Sequence, residues 1–185
     1  MQGVSDKLKI RRYRESDKVR VERMFDDFED FLASIDNLGR LARKRSLIRR
    51  GYGAAYLKKT LREVSKGDGF FYIAEVEGKI AGFVSGLICK ASKIQIIETK
   101  RKELYGFITE IYVESSYWGS GVAKLLMNEA EKYLKDKGCT CISLDVFAPN
   151  GRARRFYEKS GYLERSVTLV KECIADCKNN SVDYI

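Results

Sequence analysis

Two segments of the chain concentrate residues able to do chemistry. The first runs Glu110-Ile111-Tyr112-Val113-Glu114-Ser115-Ser116-Tyr117-Trp118-Gly119-Ser120-Gly121-Val122-Ala123-Lys124. Its front half reads as the end of a strand, and after a short turn Gly119 and Gly121 open a helix. N–H groups in the first turn of a helix have no intrahelical partner, and the helix dipole favours negative charge there. Glycines let a phosphate approach the backbone closely. The turn is therefore a physically sensible cradle for a diphosphate. It is not a dinucleotide fingerprint, because Lys124 stands where the third glycine would be, and no G-K-[ST] pattern occurs. A plain strand–turn–helix connection would look the same, so this segment alone leaves both readings open.

What the chain lacks narrows the chemistry further. It contains no histidine. That excludes Ser-His-Asp and Cys-His hydrolysis and the common His general base. Acid–base work falls to Asp, Glu, Tyr, Cys or Lys. Five cysteines occur, Cys89, Cys139, Cys141, Cys173 and Cys177, an odd and scattered set with no secretory signal before it. They read as reduced thiols packing as small hydrophobes. C-x-C and C-x-x-x-C are not the usual zinc-ligand spacing, so no metal site is expected.

The second segment is Asn150-Gly151-Arg152-Ala153-Arg154-Arg155-Phe156-Tyr157-Glu158-Lys159-Ser160-Gly161-Tyr162. Taken with the first, it resembles the GNAT superfamily of N-acetyltransferases. That pattern is a strand ending in a Tyr-Val-like pair, a Q/R-x-x-G-x-G/A turn, an amphipathic helix and a strand. N-x-x-A-x-x-[aromatic]-Y-[acidic]-K-x-G-[aromatic] follows. Asn150, Ala153, Phe156, Tyr157, Glu158, Lys159, Gly161 and Tyr162 all match. The likeness is tight over roughly Ile108 to Lys171 and looser towards the N-terminus. One position departs: Trp118 stands where the pattern usually has Gln or Arg. Lys124 or an arginine such as Arg152 could supply the missing positive charge.

The resemblance implies acetyl-CoA as acyl-donor substrate, a primary amine as acceptor and direct attack in a ternary complex. By carry-over, the backbone of Ile111, Tyr112 and Val113 would pair with the pantetheine arm. The turn from Trp118 through Gly119, Ser120, Gly121, Val122 and Ala123 to Lys124 would hold the diphosphate on its N–H groups. Asn150 and Ala153 would line the thiol end, with Phe156 beside them. Tyr157 resembles the tyrosine that protonates the departing thiolate; the alternative is a tyrosine packed between helix and sheet. Glu110 is the candidate base for the incoming ammonium, directly or through a water. It could equally orient the acceptor or pair with a lysine, and Asp145 on the neighbouring strand is a weaker candidate.

The rest of the chain must position these groups. Lys9–Tyr13 reads as a first strand, and Glu15-Ser16-Asp17 as a helix start. Val21, Met24, Phe25, Phe28, Phe31 and Leu32 then form one apolar stripe at helical spacing. They read as core, with Phe28 and Phe31 open to a share in an acceptor pocket. Leu38–Val64 is helical and very basic, broken into two helices by Gly51 and Gly53. Gly67-Asp68-Gly69 is a turn, and Phe70–Val76 with Ile80–Cys89 a hairpin through Glu77-Gly78-Lys79. Ala91–Glu103 reads as a loop flanked by strand extensions, and Tyr105–Val113 as a strand. Val122, Leu125, Leu126, Ala130, Tyr133 and Leu134 share a helix face that Gly138 ends. Cys141–Phe147 is a strand, Asn150–Ser160 a helix and Tyr162–Glu172 a final strand. The expected fold class is α/β (α+β): a mixed central sheet with an antiparallel front half. A parallel strand–helix–strand unit follows behind it, with helices flanking, in one domain over residues 1–185.

The composition is that of an ordinary globular chain, at 44% hydrophobic and 33% charged residues. No apolar run approaches the length of a membrane span, and a cytoplasmic protein is expected. The net charge of +9 favours anionic partners. It keeps a second reading open: a module on the same fold that binds nucleic acid or another acidic partner through the basic run Arg40–Arg62. No helix-turn-helix, zinc-finger or RNA-recognition signature supports it. A Rossmann-type nucleotide binder is a third reading, opposed by the missing glycine. A homodimer is an expectation from the resemblance only.

Overall fold

The structure, a computed structural model, describes residues 8–36, 51–90 and 104–171. The readings of the front of the basic segment, of the loop Ala91–Glu103 and of Cys173 and Cys177 lie outside the described residues. The described elements run β1 (Leu8–Arg12), a 3-10 turn (Glu15–Asp17), α1 (Lys18–Ile35), α2 (Tyr52–Lys66), β2 (Phe70–Val76), β3 (Lys79–Lys90) and β4 (Leu104–Val113). A second 3-10 turn (Ser115–Tyr117), α3 (Val122–Asp136), β5 (Cys139–Leu144) and α4 (Gly151–Lys159) complete them. The five strands lie in one sheet in the order β1-β2-β3-β4-β5. Neighbours are antiparallel up to β4, and β5 runs parallel to β4. A parallel neighbour needs a crossover, which α3 supplies. The mixed sheet with a parallel strand–helix–strand unit is thus as expected.

The sheet is covered on both faces. One face packs on α3, whose Val122, Leu126, Met127, Ala130 and Leu134 are buried against Phe70, Tyr72, Ala74 and Ile108. On the other, Val21, Met24 and Phe25 of α1 and Leu57 of α2 close over Phe71, Ile73 and Phe83. Burial on both sides explains why Phe-Phe-Tyr-Ile-Ala in β2 is apolar throughout instead of alternating. Each fully buried side chain of this size contributes about 1.5–3 kcal/mol.

The entry to α1 is tied down by an ion pair. Arg11 donates to both carboxylate oxygens of Asp17, at 2.7 and 2.9 Å, and through Nε to Glu75 at 2.7 Å. The Arg14 N–H donates to Asp17 at 2.8 Å. Burial alone would raise the Asp17 carboxyl, but Arg11 and the Arg14 N–H outweigh it and hold the group below its usual range. Asp17 therefore contributes stability that is present above its unfolded pKa and lost as pH falls through the lowered folded value. Asp17→Ala leaves Arg11, partly buried, paired with Glu75 alone. It is expected to cost about 3 kcal/mol, read as a lower urea midpoint with unchanged slope.

Three expectations need correction. Gly53 does not interrupt the helix: it lies inside α2, where an added Cβ would sit 2.0 Å from the Glu22 carbonyl oxygen. It is there because α1 and α2 touch backbone to backbone, and its N–H donates to Asp26 at 2.8 Å. The strand expected over Cys141–Phe147 runs from Cys139 to Leu144, because Asp145, Val146 and Phe147 leave the sheet. No strand forms between Tyr162 and Lys171. Leu163 and Leu169, which a strand would bury on one face, are 89% and 90% exposed. A strand needs a neighbouring strand to pair with, and the described part of this segment pairs with none of the five strands of the sheet.

Candidate active site

The site begins where two parallel strands part. The β4–β5 ladder ends at Ile108↔Leu144, while β4 continues to Val113 with only β3 beside it. The chain after Leu144 turns away from the sheet. The gap opens a cavity of about 450 Å³. Phe28 and Glu29 of α1 and Tyr56 and Lys59 of α2 wall one side, Phe107–Ile111 line the middle, and Val146, Phe147, Asn150, Ala153 and Tyr157 form the far wall.

A bulge aims Glu110. Opposite β3 the register steps from Gly86↔Ile108 to Ser85↔Glu110, which leaves Thr109 as an extra residue on β4. Before the step, Gly106 and Ile108 face α3. After it, Ile111 and Val113 face α3, while Tyr112 packs against Phe28 of α1 and Phe83. One inserted residue thus moves Glu110 from the α3 side of the sheet to the α1–α2 side. A hydrogen bond of 2.7 Å between the Ser85 and Thr109 hydroxyls pins the bulge.

The environment of Glu110 suits a proton acceptor. Burial raises its carboxyl above the usual range, and a hydrogen bond from the Tyr56 hydroxyl together with Lys59 only partly offsets this. Burial and the neighbouring carboxylate also push the Tyr56 phenol up, so it stays protonated and donates. Tyr157 is buried, and burial with the charge of Glu110 pushes its phenol up to about 12. It too is a proton donor at neutral pH.

The turn beyond the C-terminal end of β4 is open. Gly119 and Gly121 have φ of 79° and 89°, and a Cβ at either would meet nothing within 4 Å. The glycines serve the left-handed backbone and not packing. Among the described residues, no acceptor takes the N–H groups of Gly119, Gly121, Val122, Ala123 or Lys124. An anion fits such a cradle. The Trp118 indole N–H donates to the Val113 carbonyl at 2.8 Å, and Phe31 meets the ring edge-on.

Of the residues singled out from the sequence, Glu110, Ile111, Asn150, Ala153 and Tyr157 line one cavity. Tyr112 and Val113 complete β4, and Trp118 to Lys124 form the open turn beyond it. Val122 is buried in the core, so only its N–H is available there. Asn150 caps α4, accepting from the Ala153 N–H at 3.1 Å. Phe156 packs against Tyr157 and does not line the cavity. Asp145 does line it. Sequence reasoning missed Tyr56 and Lys59, which lie far from Glu110 in the chain. The stacked i, i+4 pair Tyr52–Tyr56 was the only local signal.

The profile of the Acetyltransferase (GNAT) family matches residues 38–162, most of the chain. The chain belongs to the GNAT acetyltransferase family. An uncharacterized N-acetyltransferase of Methanocaldococcus jannaschii is 31% identical over 142 residues, covering 77% of this chain and 59% of that protein. This GNAT chain therefore spans about three-fifths of that relative's length. Among solved structures, a transcriptional regulator from Bacillus halodurans C-125 superposes with a TM-score of 0.66 at 21% identity, over 90% of this chain and 99% of the other. Glucosamine-6-phosphate N-acetyltransferase from Arabidopsis thaliana superposes with a TM-score of 0.58 at 23% identity, over 89% and 97%. These likenesses show the GNAT fold. Among the described residues no group of three metal-ligating side chains occurs, and no helix is long and apolar enough to cross a membrane.

Proposed function

We propose that the protein transfers an acetyl group from acetyl-CoA to a primary amine by direct attack within a ternary complex. The observation that carries this reading is that Glu110 and Tyr157 face the same cavity across the parted edge of β4. The donor's pantetheine would lie along Ile111–Val113, with its diphosphate on the N–H groups of Gly119 and of Gly121 to Lys124. The acceptor enters between α1 and α2. Glu110, with its raised pKa and its hydrogen bond from Tyr56, takes a proton from the ammonium. The freed nitrogen attacks the thioester carbon, the C–S bond breaks, the departing sulfur takes the Tyr157 proton, and the nitrogen's second proton returns to the Tyr157 oxygen. No covalent enzyme intermediate is needed, and holding both reactants in line supplies much of the rate. The reading takes residues 1–185 as one catalytic domain in the cytoplasm.

The test is thiol release from acetyl-CoA with a panel of amines. Release that requires a primary amine and yields the N-acetyl product supports the reading; release that is the same without any amine contradicts it. The nucleic-acid alternative predicts instead a salt-dependent gel shift in the absence of donor. Its structural support is slight: Lys58 and Arg62 lie exposed on α2.

A further inference from the structure

Trp118 raises a question that the donor reading leaves unanswered: what replaces the polar side chain usual at that position. The Arg152 guanidinium lies over the Trp118 ring, with its carbon 3.1 Å from the ring centroid. The ring is fixed on two other sides, by the indole N–H on the Val113 carbonyl and by the edge of Phe31. Trp118 comes from the turn before α3 and Arg152 from the first turn of α4, so the stack joins the two walls of the cleft at the cradle end. Trp118 is bonded directly to Gly119, whose N–H opens the row of groups without an acceptor.

Stacking uses the flat face of a guanidinium. Its five N–H donors point outward in the plane and stay available for a planar oxyanion fork. Arg154, two residues on, pairs with Glu164. Arg152 has no carboxylate partner among the described residues. Desolvation pushes its pKa down, a cost that a bound phosphate would reverse. A rigid, half-exposed aromatic platform carrying a cation without a counter-ion, beside an open row of N–H groups, fits a phosphoanhydride.

We propose that Arg152, held on the Trp118 ring, is a binding residue for the donor's diphosphate and does the work of the side chain that Trp118 replaces. Trp118 acts through Arg152 and is a positioning residue. The inference rests on the acyl-donor reading above.

Calorimetry with three ligands tests it: CoA, 3′-dephospho-CoA and pantetheine, each titrated into wild type, Arg152→Ala, Arg152→Lys and Trp118→Phe. A lost charge-assisted contact is worth about ten- to a hundredfold in affinity. Arg152→Ala is expected to weaken CoA and dephospho-CoA by that same factor and to leave pantetheine unchanged. Arg152→Lys is expected to recover part of the loss. Trp118→Phe keeps a ring under the cation and is expected to retain most of the affinity. A loss seen for CoA but not dephospho-CoA would move Arg152 to the 3′-phosphate and overturn the assignment. Equal losses on all three ligands would mean a general distortion and would overturn it too, as would unchanged CoA affinity. If wild type binds neither CoA nor dephospho-CoA, the donor reading itself fails; if it binds both and Arg152→Ala matches it, only this inference fails.

Discussion

Tyr157→Phe is expected to lower kcat for acetyl transfer by about a hundredfold, the low end of the range for a lost general acid, with little change in the KM for acetyl-CoA. The phenylalanine keeps the ring that packs against Phe156 and Tyr162. Only the hydroxyl is lost, and with it the proton proposed for the departing sulfur. A group that acts only as the bond breaks shows its removal in kcat and kcat/KM alike. Because the Tyr157 phenol is pushed up to about 12, the wild-type rate should show no loss from its ionisation through pH 9. If the variant turns over at the wild-type rate while its melting temperature falls, Tyr157 is a core tyrosine and the proton comes from elsewhere.

Glu110→Gln is the second large effect, and it should move activity and stability in opposite directions. Glutamine fills the same space and can still accept from Tyr56, but it cannot take a proton. The rate with an amine acceptor is expected to fall about a hundredfold, and the acid limb of the wild-type pH profile should disappear. The sign of the stability effect follows from burial. The folded-state pKa of Glu110 is raised, so its favourable contribution is full below the unfolded pKa and lost as pH rises through the folded value. Near neutrality, Glu110→Gln should therefore unfold at a higher temperature than wild type. A shift of one pKa unit corresponds to about 1.4 kcal/mol, and 1 kcal/mol to about 2–4 °C in Tm for a chain of this size. The two proteins should converge near pH 4. Retained activity in the variant would make Glu110 an orienting residue.

Much of this site was readable because its parts are local in sequence. Gly119 and Gly121 announce a left-handed turn before a helix, and the Asn150–Tyr162 segment carries its cap, its buried tyrosine and its terminating glycine in a row. What escaped is what the fold alone brings together. Tyr56 meets Glu110 across two layers. The bulge at Thr109 cannot be seen in a run of alternating residues, because an extra residue leaves no mark in composition. Gly53 looked like a helix breaker, yet its lack of a side chain serves the contact with Glu22. The segment from Tyr162 reads as a strand, yet it pairs with none of the five strands of the sheet, because a segment's own residues do not encode its partner. Trp118 departs from the motif, and only the fold places Arg152 over its ring.

The most direct test of the donor site is titration of acetyl-CoA into wild type, Gly121→Gln and Gly121→Glu. Both variants carry the same bulk at a φ of 89°, so they share the backbone strain. They differ by one negative charge at the start of α3, which favours folding there and opposes a diphosphate. Micromolar binding to wild type is expected, with weaker binding to Gly121→Gln and none to Gly121→Glu, and with the glutamate variant at least as heat-stable as the glutamine one. No heat from wild type at millimolar acetyl-CoA, or a glutamate variant that binds as well as the glutamine one, would contradict a donor site at this turn.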